Sequence, residues 1–130
     1  MYSEGDLMRA LIVDDSRAVR SMISRSVKQL GFETVEAGDG RAALEQLKQA
    51  GVVDVALVDW NMPEMSGFEF VCAVRADKAY DAMRIIMVTS ETEMARMVDA
   101  LDVGANEYLM KPFTVDALRG KLVLTGLLTD

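Results

Sequence analysis

Short apolar runs alternate with longer amphipathic stretches from one end of this chain to the other. Arg9–Val13, Val53–Val58, Arg84–Val88 and Glu107–Met110 are runs of four to six residues bounded by turn signals. Such runs are too short for helices and read as buried strands. Glu33-Thr34-Val35-Glu36-Ala37 alternates polar and apolar residues, as a strand at an exposed edge does. Between these runs the apolar residues recur every three or four positions, the helical period. Five strand–helix units in strict succession constrain the fold severely. Parallel strands need a crossover helix between them, so the alternation predicts a doubly wound, five-stranded parallel sheet.

The helical segments carry their own stop and start signals. Ser16 caps a first helix bearing Val19, Met22, Ile23, Val27 and Leu30, with Gly31 at the stop. Gly38-Asp39-Gly40 turns the chain into a second helix, which carries Ala43, Leu44, Leu47 and Ala50 and ends at Gly51. A third helix is expected from about Gly67 to Ala76. A fourth should present Met94, Met97, Val98 and Leu101 as one stripe before Gly104, and Thr114 caps the last. Residues 1–7 read as a loosely ordered lead, and residues 8–130 as one domain of ordinary size without internal repeats.

Composition removes whole classes of function. With 51% apolar residues the chain can build a core, yet its apolar runs are too short to span a bilayer. A net charge of −7 argues against nucleic acid as a direct partner. Histidine is absent, which excludes histidine triads, histidine metal sites and phosphohistidine on this chain. Cys72 is the single cysteine, so neither an internal disulfide nor a cysteine zinc site is available, and a reducing, cytoplasmic setting is expected.

The chemistry-bearing residues stand where apolar runs stop. Asp14 and Asp15 follow the first strand, Asp59 the third and Lys111 the fifth. Parallel strands share one carboxyl edge, and ligands of such sheets bind along it. Three carboxylates crowded there repel one another unless a cation joins them, and oxygen-only ligands suit a hard ion such as Mg²⁺. Lys111 adds a positive charge, leaving a site fit for a phosphoryl group between metal and ammonium.

These residues carry a resemblance. The pair Asp14-Asp15, the segment from Val58-Asp59-Trp60 through Met62-Pro63 to Ser66-Gly67, the strand end Val88-Thr89-Ser90, and Tyr108-Leu109-Met110-Lys111-Pro112-Phe113 occur in order. Together they resemble the receiver domains of two-component response regulators, of the single-domain CheY type. The resemblance implies strand order 2-1-3-4-5 and Asp59 as phosphoacceptor. It implies Mg²⁺ held by Asp15 directly, by Asp14 mainly through water, by Asp59 and by the Asn61 backbone carbonyl. Lys111, with a cis bond to Pro112, would pair with a phosphoryl oxygen. Thr89 and Tyr108 would be the switch residues, while Asn61 and Glu91 would set the lifetime of the phosphorylated state. A phosphoryl donor such as a histidine kinase or phosphotransfer protein is implied, with a protein partner on the helix 4–strand 5–helix 5 face. Beyond its own phosphorylation and dephosphorylation no enzymatic activity is expected.

Other readings fare worse against the residues. A flavodoxin-like cofactor binder needs a phosphate cradle after the first strand, where Asp14-Asp15 would repel the ligand. An aspartyl-phosphate phosphatase resembles a DxD arrangement that is missing here, and a dead scaffold would not keep the full acid set. A phosphate sink or phosphorelay receiver shares every chemical feature and stands as the alternative role. For the partner surface, Leu124 and Leu128 are expected on a second face of the last helix, with Met94 and Met97 approaching it beside Tyr108. A weak dimer through that surface is also compatible with these residues.

Overall fold

The computed structural model describes residues 7–129, so all but Leu7 of the expected lead lies outside the described residues. Five parallel strands form one sheet: β1 (Arg9–Val13), β2 (Glu33–Ala37), β3 (Val55–Asp59), β4 (Arg84–Thr89) and β5 (Glu107–Met110). Their order is β2-β1-β3-β4-β5, as the resemblance implies. The helices are α1 (Arg17–Gln29), α2 (Gly40–Ala50), α3 (Gly67–Arg75), α4 (Met97–Asp102) and α5 (Val115–Leu124). Two 3₁₀ segments, Lys78–Tyr80 and Glu91–Arg96, precede β4 and α4.

The central strands are apolar throughout because both faces are covered. Leu11, Val13, Ala56, Val58, Ile85 and Met87 turn one way, against Ala43, Leu47, Phe70, Val74 and Met97 of α2, α3 and α4. Their neighbours Ala10, Ile12, Val55, Leu57, Ile86 and Val88 turn the other way, against Ile23, Val27, Leu118 and Leu122 of α1 and α5. Successive side chains of a strand point to opposite faces, so one run feeds two cores. Among these, each fully buried Val, Leu, Ile, Met or Phe side chain contributes roughly 1.5–3 kcal/mol.

Each long helix starts at a side-chain cap. Ser16, Asp39, Ser66 and Thr114 accept from the backbone N–H groups of Val19, Ala42, Glu69 and Ala117. Such a cap contributes about 1 kcal/mol. It also fixes where the preceding loop ends, and the loops after β1, β3 and β5 carry the site.

Two expectations need correction. The fourth helical segment begins as 3₁₀, in which residues three apart eclipse. Met97 and Ala100 therefore face the core, whereas Val98 and Leu101 are 64% and 41% exposed. The expected Met94-Met97-Val98-Leu101 stripe is not the packed face, and Met97 is a core residue instead of part of the expected partner surface. The last helix stops at Leu124, and Gly126 then takes φ +83°, a left-handed conformation suited to glycine. Leu127 and Leu128 fold back, both donating their N–H to the Leu122 carbonyl, and pack on the α1–α5 core. Leu124, 71% exposed, is thus the one residue of that pair facing solvent from α5.

Candidate functional site

The carboxyl edge of the sheet gathers the predicted residues. Asp59 ends β3, opposite Val88 of β4. Asp14 follows β1, and its N–H donates to the Ala37 carbonyl of β2 at 3.1 Å. Lys111 follows β5, and its N–H donates to the Thr89 carbonyl at 2.7 Å. Backbone hydrogen bonding thus positions each of these loops against the neighbouring strand.

One oxygen each from Asp14, Asp15 and Asp59 lies within 4.8 Å of the others. Asp14 and Asp59 are buried and Asp15 is exposed. Asp14 Oδ1 accepts from the Ser16 N–H at 2.8 Å, whereas its buried Oδ2 has no hydrogen-bond partner among the described residues. A buried carboxylate oxygen without a partner is costly. The spacing and all-oxygen character of the three donors fit a hard dication such as Mg²⁺, which would relieve that cost.

Lys111 Nζ stands 3.2 Å from Asp59 Oδ1 and 3.9 Å from Asp14 Oδ2. The Lys111–Pro112 peptide is cis, as the resemblance implies. Even with the ammonium so close, the Asp59 carboxyl is raised to about 6. Burial is the main cause and the Asp14 charge adds to it. Lys111 offsets part of this by charge and hydrogen bond, while Glu93 adds a little more.

Several neighbours hold this geometry. Arg20 Nη1 donates to the Asp14 carbonyl at 2.7 Å, and its Nε meets Glu36 at 3.3 Å, so α1 and β2 both brace the β1–α1 loop. Gly67 admits no side chain: a Cβ there would fall 2.3 Å from the Asp59 carbonyl oxygen. Its N–H donates to the Trp60 carbonyl at 2.9 Å, closing the β3–α3 loop tightly behind Asp59.

Thr89 is fully buried at the end of β4, its hydroxyl donating to the Ser90 carbonyl at 3.2 Å. Tyr108 on β5 is half-buried against the α2–α4 side of the core. Lys121 Nζ lies 4.2 Å from its ring centroid and donates to Glu107 at 2.9 Å. Burial acts to raise the Glu107 carboxyl, but the bonds from Lys121 and the Tyr108 N–H, with the Lys121 charge, carry it below the usual range.

Asn61 and Glu91 are both exposed. It is Glu93 that reaches Asn61, accepting from its Nδ2. Glu93 also closes a capping box with Ser90. Glu93, Arg20 and Arg96, whose guanidinium carbon lies 5.9 Å from the Trp60 ring centroid, are neighbours that sequence reasoning missed. For Glu93 a signal existed, since Ser90-Glu91-Thr92-Glu93 has the spacing of a capping box.

A family model for the response regulator receiver domain matches residues 10–123. A chemotaxis protein CheY homolog of Campylobacter jejuni is 46% identical over 116 residues, covering 88% of this chain and 89% of the relative. Chemotaxis protein CheY1 of Helicobacter pylori is 43% identical, covering 88% of this chain and 94% of its own. The structure of the chemotaxis response regulator CheY4 of Vibrio cholerae aligns with TM-score 0.83 at 39% identity, over 92% of this chain and 98% of that one. The acid cluster faced by a lysine, the strand order and these likenesses converge: the chain belongs to the response regulator receiver domain family.

Proposed function

We propose that this receiver accepts a phosphoryl group on Asp59 from an external histidine kinase or phosphotransfer protein. It then presents an altered α4–β5–α5 face to a protein partner in chemotaxis-like signalling. The observation that carries this reading is the Lys111 ammonium 3.2 Å from Asp59 Oδ1, beside the buried Asp14 Oδ2, which has no hydrogen-bond partner among the described residues. An anionic phosphoryl group brought to Asp59 meets the ammonium on one side and the acid cluster on the other.

In the transfer, an Asp59 carboxylate oxygen bonds to phosphorus as the bond from phosphorus to the donor breaks, and the donor leaves with that electron pair. Asp14, Asp15, Asp59 and the Asn61 carbonyl would hold Mg²⁺. When bound, that ion would balance the charge of carboxylates and phosphoryl oxygens. Lys111 balances another oxygen and orients it. Thr89, buried beside Asp59, supplies the hydroxyl that follows the phosphoryl group, and the half-buried Tyr108 ring completes the switch on β5. Val98, Leu101, Met110 and Leu124 are exposed apolar residues on α4, β5 and α5, which favours an effector surface over a plain phosphate sink.

The test is labelling with acetyl phosphate. One phosphoryl group per chain is expected with Mg²⁺ and none with EDTA, and Asp59→Asn should abolish it. Undiminished labelling of that variant would overturn the reading.

A further inference from the structure

The 3₁₀ segment Glu91–Arg96 meets the β3–α3 loop at two points that the transfer chemistry does not use. Glu93 accepts from Asn61 Nδ2, and the Arg96 guanidinium carbon lies 5.9 Å from the Trp60 ring centroid. With three residues per turn, Glu93 and Arg96 share one face of the segment. Glu91, two residues before Glu93, is off that face at three residues per turn and is exposed. The Glu93 carboxylate divides its oxygens: Oε1 accepts from Ser90 N and Oγ, both at 3.0 Å, while Oε2 takes the Asn61 amide.

A carboxylate only accepts, so the end of the Asn61 amide that meets Glu93 must be the NH₂ group. Oδ1 is then the end that Glu93 leaves unclaimed. Hydrolysis of an aspartyl phosphate needs a water whose oxygen attacks phosphorus while a neighbouring acceptor holds one of its hydrogens. Resting on the proposed phosphorylation of Asp59, we infer that Glu93 is a positioning residue for dephosphorylation, fixing the Asn61 amide so that Oδ1 receives the attacking water. In that step a bond forms from the water oxygen to phosphorus, and the bond from phosphorus to the Asp59 oxygen breaks. Asp59 leaves as the carboxylate, and the water's protons go to the released phosphate and to solvent. Glu93 touches none of the reacting atoms and acts through Asn61.

The capping box makes a clean test available. Glutamine serves as well as glutamate at its third position, so Glu93→Gln keeps the helix start. Its side-chain oxygen stays on the Ser90 N–H, however, so its NH₂ group now faces Asn61, and the Asn61 amide no longer turns its own NH₂ that way. The full chain and its Glu93→Gln, Asn61→Ala and doubly substituted variants are loaded with labelled acetyl phosphate and Mg²⁺. The donor is then removed and the decay of the phosphoprotein followed. If the unsubstituted chain takes no label on Asp59, the functional reading itself fails. If it does, Glu93→Gln should lengthen the half-life by ~3–10-fold, the effect of one orienting hydrogen bond. In the Asn61→Ala background the same substitution should change nothing further. A half-life unchanged or shortened by Glu93→Gln overturns the inference. So does a lengthening of equal size with and without Asn61, because Glu93 would then act by its charge alone.

Discussion

Lys111 and Asp59 meet across a strand that belongs to neither. Lys111 follows β5 and Asp59 ends β3, with β4 lying between them in the sheet. The lysine side chain must therefore pass over Thr89 at the end of β4, whose carbonyl accepts the Lys111 N–H at 2.7 Å. Its 3.2 Å contact with Asp59 is thus held by backbone as well as by charge. Replacing it by glutamine should leave the fold intact but slow labelling from acetyl phosphate on the order of 100-fold, the range seen when one stabilising donor is removed from a reacting oxyanion. A rate within twofold of the parent's would remove Lys111 from the mechanism.

The acid cluster makes a prediction about pH and stability. An Asp carboxyl of ordinary value 3.8 is raised to about 6 at Asp59, so between those values the folded chain binds a proton that the unfolded chain has lost. The stability linked to this group is full below about pH 4 and is lost as pH rises through about 6. In EDTA at pH 7.5, Asp59→Asn should therefore be more stable than the parent by about 1–2 kcal/mol, after discounting the full shift for solvent screening. That difference should shrink towards zero near pH 4. Urea unfolding of parent and variant at the two pH values checks the sign, and a difference between them that is the same at both would refute it.

The proposed Mg²⁺ site has a built-in reporter. Trp60 is the only tryptophan, follows Asp59 directly and is 4% exposed. Adding Mg²⁺ should change its fluorescence saturably, and Asp15→Asn should weaken the apparent affinity at least ~10-fold. Identical titrations of parent and variant would take Asp15 out of the ligand set.

Gly67 should tolerate nothing larger. Alanine there would place a Cβ 2.3 Å from the Asp59 carbonyl oxygen and 2.9 Å from Met87 Cε. Backbone has to shift, so a loss of about 2–3 kcal/mol is expected, measurable by urea unfolding. The shift should also disturb the Trp60 emission, because the Gly67 N–H is bonded to the Trp60 carbonyl.

The chain end separates a surface residue from a packed one. Leu124→Lys should change stability by less than about 0.5 kcal/mol, since its side chain faces water. Leu128→Lys should cost about 1–2 kcal/mol, because Leu128 packs on the α1–α5 core. Equal unfolding midpoints for the two variants would contradict the fold-back after Gly126.

Period and punctuation alone determined the alternation of elements. Arg9–Val13, Glu33–Ala37 and Glu107–Met110 fall where apolar pattern and turn residues place them, because runs this short between turn signals leave no length for a helix. The acids and lysine at the strand ends were legible for the same reason: a parallel sheet sends every strand's carboxyl end to one edge. The exposed side of α4 was not legible. Met97, Val98 and Leu101 satisfy helical spacing equally well, and only the 3₁₀ winding of Glu91–Arg96 sets which of them turns inward. Leu128 likewise continued the periodicity of α5 on paper, until the left-handed turn at Gly126 carried it back onto the core. Nor did the sequence decide that Glu93, and not Glu91, meets Asn61. A contact between residues 32 positions apart depends on the rotation of one segment against another, and tertiary packing sets that rotation.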